Sequence, residues 1–285
     1  MSRWKQTTDP DPNSEPSPNP VRNFAPKPDP NQGVEIEGDD AHGVDFQFPW
    51  ETQPQRAHRR VMGIRAFHID KYPVTNGQFA AFLERTQYSP RESTHFVRHW
   101  NWDHRRRLPA PERGDLKKPV TYVSLADARA YCSASGKRLP RSWEWLYAAQ
   151  GLDGRLFPWG SADDSSGYRR PREQNGTRIP GPEAVDAHSP QGDSPFGVAD
   201  LVGNVWQMTD EFHDARTRAL MVRGGSNYRP LGSHWYFPQA KPLNQHEKYF
   251  LMDDSYERAG TLGFRCVQDA AQDGGARADG DALYM

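Results

Sequence analysis

Glycine and proline interrupt this chain so often that long regular elements are excluded over most of its length. The 285 residues include 24 glycines and 25 prolines. Across residues 155–265 the apolar residues come in short bursts bounded by glycine, without a sustained helical period. There is also no fixed repeat, which argues against a solenoid or a propeller. The pattern predicts short strands and loops in the second half of the chain.

The first half carries clearer signals for regular structure. Partial alternation of apolar residues predicts a strand within residues 60–72. A helix is expected to start at Thr75 or Asn76, because the residues that follow place an apolar stripe on one face: Phe79, Phe82 and Leu83.

Two more helices are expected further on. Residues 124–127 resemble a capping box with Asp in place of Glu, so a helix should begin at Ser124 and end near Gly136. The apolar spacing within residues 142–150 predicts a third helix, which Gly151 would close.

The two ends of the chain differ in composition from the middle. Residues 1–32 repeat Pro, Asp, Asn and Ser and cannot bury enough apolar surface to offset the entropy of ordering them. The last residues are rich in Gly, Ala and Asp. We expect a disordered tail over residues 1–35, one domain over residues 36–270 and a second disordered tail over residues 271–285.

Charge and hydropathy exclude some partners. The formal net charge of -1 gives no overall field that favours nucleic acid or an anionic membrane. A dense basic run at residues 104–107 lies beside Leu108 and two prolines, which favours an exposed surface loop over a nucleic-acid site. No apolar run approaches the roughly 20 residues that span a bilayer, and the first residues lack the apolar core of a signal peptide. We therefore expect a cytoplasmic protein with neither nucleic-acid nor membrane partners.

Cys132 and Cys266 are the only two cysteines. They are too few for a four-cysteine zinc site or for a small disulfide scaffold. They are either two reduced thiols in the core or one long-range bridge.

Seven short motifs follow one another through the chain. They are residues 130–132 (AYC), 136–140 (GKRLP), 143–149 (WEWLYAA), 157–160 (FPWG), 201–206 (LVGNVW), 223–226 (RGGS) and 263–266 (GFRC). Together they closely resemble the formylglycine-generating-enzyme, or sulfatase-modifying-factor, family, which includes the C-terminal domain of ergothioneine sulfoxide synthases. The resemblance implies an α+β fold related to the C-type lectin fold, with little regular secondary structure. It also implies a structural bridge between Cys132 and Cys266, with two buried thiols as the alternative.

Copper-dependent members of that family carry two reactive cysteines, spaced C-x4-C, shortly after the Gly-Gly-Ser motif. Here Trp235 falls near the first position and Gln239 or Ala240 near the second. Soft thiolates select Cu(I), and neither an indole nor a carboxamide replaces them. The copper chemistry that converts a substrate cysteine to formylglycine should therefore be absent.

An iron site is an alternative source of chemistry. Two histidines and a carboxylate would supply the donor types of a non-heme iron centre, and the candidate catalytic residues are His234, His246 and Asp253 or Asp254. Their spacing is not diagnostic, and surface or hydrogen-bonded packing is the commoner fate of such histidines. Ergothioneine enzymes take their iron ligands from an extra N-terminal helical domain, where this chain has a proline-rich segment, so self-contained sulfoxide synthase activity is not expected.

The resemblance also places a ligand-binding face. The residues that would line it are Trp206, Arg223, His234, Trp235, Tyr236 and Gln239. Aromatic rings with a guanidinium and an amide suit a small polar ligand or an extended peptide. For Trp206 alone, packing in the core is the reading that we favour.

A calcium site is expected in residues 200–207, where family members often bind the ion. Asp200 would supply a carboxylate, Gly203 and Val205 backbone carbonyls, and Gln207 stands where relatives often carry Glu. The alternative is a tight loop held by Gly203 and hydrogen bonds.

Three functions from different classes fit these observations. They are a diverged metal-dependent oxidase, a module that binds a peptide or polar ligand without chemistry, and an accessory domain that completes a site in a partner enzyme. The missing cysteine pair favours the non-catalytic or partner-dependent readings.

Overall fold

Three α-helices lie within residues 76–150, as the sequence predicts. The computed structural model describes residues 33–45, 59–176, 181–212, 219–231, 239–243, 247–250 and 258–270. Within them the helices are α1 (Asn76–Thr86), α2 (Leu125–Ala134) and α3 (Ser142–Gln150).

Side chains that cap the backbone fix where α1 and α2 begin. The Thr75 hydroxyl accepts a hydrogen bond from the Gln78 N–H, and the Ser124 hydroxyl accepts one from the Asp127 N–H. In each case the third helical residue returns a bond to the capping N–H, which completes a capping box. The predicted starts at Thr75 and Ser124 are therefore confirmed.

Besides a short 3-10 helix (Arg113–Asp115), thirteen short strands make up the rest of the regular structure in the described residues. They are β1 (Gly33–Ile36), β2 (Asp39–Asp45), β3 (Arg59–Ile64), β4 (Phe67–Asp70), β5 (Asn101–Asp103), β6 (Leu108–Ala110), β7 (Gln174–Gly176), β8 (Trp206–Phe212), β9 (Ala219–Arg223), β10 (Tyr228–Pro230), β11 (Glu247–Phe250), β12 (Leu262–Phe264) and β13 (Val267–Asp269). The prediction that the second half would be built from short strands and loops is confirmed over its described residues.

The strands form two main sheets and three smaller pairs. One sheet has the order β1-β4-β13 and the other has the order β11-β9-β8-β12, with β12 parallel to β8. Two-stranded sheets join β2 to β3, β5 to β6 and β7 to β10. Strands that are distant in the chain thus lie side by side in both main sheets.

Two expectations about the first strands need correction. The single strand expected within residues 60–72 is two strands, since β3 pairs with β2 whereas β4 pairs with β1 and β13. Arg65 and Ala66 separate them, where the chain passes from one sheet to the other. In addition, β1 begins at Gly33, so the ordered domain includes residues assigned to the tail over 1–35. Residues 1–32 and 271–285 lie outside the described residues.

The core consists of two apolar clusters. The first packs α1 and α2 against the four-stranded sheet, with the ring of Phe79 stacked on Tyr131 at 5.7 Å between centroids and Phe264 edge-on to both. The second surrounds Trp145 of α3 and includes Ile69 of the three-stranded sheet. Full burial of one such apolar side chain contributes about 1.5–3 kcal/mol. None of the described helices is long and apolar enough to cross a membrane.

Candidate functional site

The paired glycines after β9 lie where three segments of backbone meet. Gly224 and Gly225 have φ values of +89° and +77°, which favour glycine. A Cβ at Gly224 would lie 2.3 Å from the Leu201 carbonyl oxygen, and one at Gly225 would lie 2.2 Å from the Gln239 carbonyl oxygen. Side chains do not tolerate such distances to backbone, so this close approach requires both glycines.

The neighbouring residues 200–207 form a loop that runs into the first two residues of β8. Three of them have positive φ values, a conformation that is unfavourable for residues other than glycine. Asp200, Gly203 and Asn204 have φ values of 52°, 82° and 61°. The Asn204 amide stabilises the loop, because its Nδ2 donates to the Asp200 carboxylate at 2.8 Å and its Oδ1 accepts from the Glu183 N–H at 2.9 Å. The Gly203 N–H donates to the Gly224 carbonyl at 3.0 Å, which ties the loop to the paired glycines.

Gln207, one of the predicted calcium ligands, faces the interior. Its Oε1 accepts hydrogen bonds from Trp145 Nε1 at 2.8 Å and from Arg265 Nε at 2.6 Å, and its Nε2 donates to the Asp200 carbonyl at 2.7 Å. An amide oxygen has two lone pairs, and both are used here. Gln207 therefore does not fit the role of a calcium ligand in this arrangement.

The rest of the predicted calcium set is the Asp200 carboxylate with the backbone carbonyls of Gly203 and Val205. Burial raises the pKa of the Asp200 carboxyl to about 7, while the Asn204 hydrogen bond and the Arg265 charge act in the opposite direction. A desolvated carboxylate of this kind is stabilised by a nearby cation. Calcium binding by these three groups stays a prediction.

Arg265 of the GFRC motif is the centre of the buried polar network, and it has no exposed surface. Besides its bond to the Gln207 amide oxygen, its guanidinium donates to four backbone carbonyls, those of Asp70, Lys71, Ala199 and Asp200. These five bonds use all five N–H donors of the guanidinium. Burial lowers the pKa of Arg265 to about 10, so the group remains charged at neutral pH. The sequence pattern alone gives Arg265 no role, because its bonding partners lie far away in the chain.

The structure describes three of the six residues predicted to line the ligand face. Trp206 is only 5% exposed and packs in the first apolar cluster. Arg223 is fully buried, with Nε donating to Ser142 Oγ at 2.8 Å and Nη1 donating to the Leu243 carbonyl at 3.1 Å. These two side chains are therefore buried rather than presented to solvent. Gln239 is partly exposed and lies next to the paired glycines.

Outside the described residues lie His234, Trp235, Tyr236, His246, Asp253 and Asp254. Among the residues that the structure describes, no group of three or more His, Cys, Asp or Glu side chains is arranged to hold a metal ion. The iron site therefore stays a prediction.

Both cysteines are joined in one disulfide bond. Cys132 belongs to α2 and Cys266 lies between β12 and β13, with 5.6 Å between their Cα atoms. Neither residue has any exposed surface. Because the chain contains no other cysteine, no thiol is left for a soft metal ion, and a thiolate copper centre does not fit this protein.

A family model and several known proteins match this chain. The family model is described as the sulfatase-modifying factor enzyme 1-like domain, and it matches residues 31–270. The chain belongs to this sulfatase-modifying factor family. The resemblance drawn from the seven motifs is thereby confirmed.

The proteins similar to this family member include some that are named as formylglycine-generating enzymes and some that are named as inactive forms. The formylglycine-generating enzyme of Streptomyces coelicolor is 29% identical, and the match covers 87% of this chain and 90% of that protein. The mouse enzyme of the same name is 28% identical, over 78% of this chain and 71% of its own. The bovine protein named inactive C-alpha-formylglycine-generating enzyme 2 is 29% identical, over 75% of this chain and 80% of its own.

Solved structures confirm the α+β fold of this family member. CarF is 20% identical with a TM-score of 0.55, and the match covers 85% of this chain and 99% of CarF. PvdO from Pseudomonas aeruginosa is 17% identical with a TM-score of 0.56, over 84% of this chain and 94% of PvdO. At these identities the likeness concerns the fold alone.

Proposed function

We propose that this family member binds a peptide or a small polar ligand, or completes a site in a partner enzyme, and does not carry out thiolate-dependent copper chemistry. One observation carries the proposal: the only two cysteines are consumed in a buried disulfide. A Cu(I) centre of the family type needs free thiolates, and this chain has none to offer.

The proposed binding face would rest on the paired glycines and the loop beside them. The paired glycines, the 200–207 loop and Gln239 are held together by close backbone contacts that glycine alone permits. The Arg265 and Gln207 side chains fix the loop from the inside through charge-assisted bonds. The bovine relative named as inactive is similar over 75% of this chain, which supports a non-catalytic role for the same fold.

A turnover assay tests the loss of chemistry. A peptide containing Cys-x-Pro-x-Arg is incubated with the protein, copper and oxygen, and formylglycine is sought by mass spectrometry. The mouse formylglycine-generating enzyme, assayed in parallel, serves as the positive control. We expect no product above the reaction without protein, and formylglycine that depends on this chain would refute the proposal.

Calcium is the ion that we propose for the 200–207 loop, with the Asp200 carboxylate and two carbonyls as its protein ligands. With Gln207 excluded, few protein donors remain and the affinity should be weak. Calcium in the range up to about 10 mM should raise the melting temperature of the native chain but not that of Asp200→Asn. A native chain whose melting temperature does not respond to calcium would contradict the site.

A further inference from the structure

A basic surface lies on the hairpin of β5 and β6 and the adjoining side of α1, and it takes no part in the face described above. Residues 91–118 carry eight Arg and Lys side chains against four Asp and Glu, whereas the whole chain has a net charge of -1. The cations are most concentrated at the hairpin tip, where residues 104–107 are all exposed. We call the β5–β6 hairpin (residues 101–110), together with the side of α1 that adjoins it, the hairpin surface.

The hairpin tip holds its arginines in a fixed turn. The Asp103 carboxylate accepts hydrogen bonds from the N–H groups of Arg105 at 2.9 Å and Arg106 at 3.2 Å, and the Asp103 carbonyl accepts one from the Arg107 N–H at 2.8 Å. The backbone hydrogen bonds from Arg106 and Arg105 lower the pKa of Asp103, because they stabilise its ionised carboxylate within the turn. The backbone that presents these cations is therefore organised before any ligand arrives, which reduces the entropy lost on binding.

The arginine side chains themselves are accessible. Arg106 is 61% exposed and lies 3.8 Å from Asp103 and 3.9 Å from Glu84, distances at which exposed ion pairs contribute little. Within the described part of the chain, neither Arg105 nor Arg107 forms an ion pair closer than 4 Å. Two cations at the tip are thus available to an acidic partner.

An apolar groove adjoins these cations. It runs between small residues of α1 and strand β6, and its lining includes Gly77, Ala80, Ala81, Leu108, Pro109 and Ala110. Glu84 and Arg106 also line it. Trp102 is paired directly with Pro109 across the hairpin and is 56% exposed, so its ring is accessible beside the groove. The apolar lining of the groove suits an aliphatic side chain.

We propose that the hairpin surface binds an extended acidic segment of another protein, with carboxylates at the arginines of the tip and an aliphatic side chain in the groove. Charge complementarity favours this occupant, because single carboxylates can meet the arginines while avoiding Glu84 and Asp103. The evenly spaced phosphates of a nucleic acid would meet those acidic groups as well, and the chain lacks the overall positive charge that attracts a polyanion.

The test measures binding of a fluorescein-labelled peptide, in which glutamates flank a single leucine, by fluorescence anisotropy. Reversing two charges at the tip, with Arg105→Glu and Arg107→Glu, should weaken binding on the order of tenfold or more. The matched control reverses two exposed cations elsewhere, Arg65→Glu and Arg229→Glu, and should leave the affinity within about twofold. Melting curves check that both double variants fold.

A second variant tests the apolar part of the surface. Trp102→Ala should weaken binding of the leucine peptide several-fold and leave a peptide with glycine in that position unchanged, because the ring contacts the aliphatic side chain. Equal losses in the two double variants, or no loss in the tip variant, would overturn the proposal. So would an oligonucleotide of equal charge that binds more tightly than the peptide and depends on Arg105 and Arg107, since the surface would then be a nucleic-acid site.

Discussion

Removing the disulfide should destabilise this domain more than most single substitutions. Cys132 and Cys266 are separated by 134 residues, and in the chain-entropy model a bridge over a loop of that length stabilises the folded state by about 5 kcal/mol at 25 °C. For a domain of this size, each kcal/mol corresponds to roughly 2–4 °C in melting temperature, so the expected drop is about 10–20 °C. The assay is guanidinium chloride unfolding of Cys132→Ala with Cys266→Ala against the native chain, followed by circular dichroism.

The native protein in its oxidised and reduced forms provides the control for this experiment. Native protein refolded with and without a reductant differs only in the cross-link, whereas the alanine variant also loses two buried sulfur atoms. Reduced native protein should therefore lie close to the double variant and slightly above it in stability. If oxidised and reduced native protein differed by less than about 1 kcal/mol, the assignment of a stabilising bridge would be refuted.

Two further predictions concern the paired glycines and the buried network around Arg265. Gly224→Ala and Gly225→Ala should each cost more than about 3 kcal/mol, since the new Cβ would overlap a carbonyl oxygen. Gly136 also has a positive φ, but a Cβ added there would meet no atom within 4 Å, so Gly136→Ala should cost only about 1–2 kcal/mol. Melting temperatures that rank Gly136→Ala as the most destabilising of the three variants would contradict the explanation. Arg265→Met should cost at least about 3 kcal/mol, because four backbone carbonyls and the buried Gln207 amide oxygen each lose a guanidinium donor. Arg265→Lys should not restore stability, since an ammonium has three donors. The control is Arg229→Met at an exposed position, where we expect the free energy of unfolding to change by no more than about 0.5 kcal/mol. If denaturant titrations showed only a small loss of stability in Arg265→Met, the network would contribute little.

Local sequence was sufficient to predict the helices. The Thr75 and Ser124 caps and the apolar stripe of α1 each involve residues within one or two turns, so their consequences can be read from the sequence. Helix α3 spans the predicted residues 142–150 for the same reason. By contrast, the split of the first predicted strand depends on which distant strands β3 and β4 pair with, and no local pattern encodes that choice.

The candidate site was predictable in outline and not in detail. The RGGS motif located the paired glycines, but the direction of the Gln207 side chain is set by Trp145 and Arg265, which lie 62 and 58 residues away in the chain. Likewise, Asp127 was expected only as part of a cap, yet it also forms a buried ion pair with Arg258, 131 residues further on. A polar side chain in a motif, such as Gln207, can therefore be predicted as a metal ligand when its actual partners are buried side chains far away in the chain.

A copper titration measures whether this chain offers any thiolate to a soft metal ion. Cu(I) is titrated against a colorimetric chelator with the oxidised native chain, and with a variant carrying Trp235→Cys and Ala240→Cys, which restores the C-x4-C spacing. We expect the native chain to leave the copper with the chelator and the variant to withdraw it. Stoichiometric Cu(I) binding by the native chain, with the Cys132–Cys266 bond intact, would show that the protein holds soft metal without a thiolate pair.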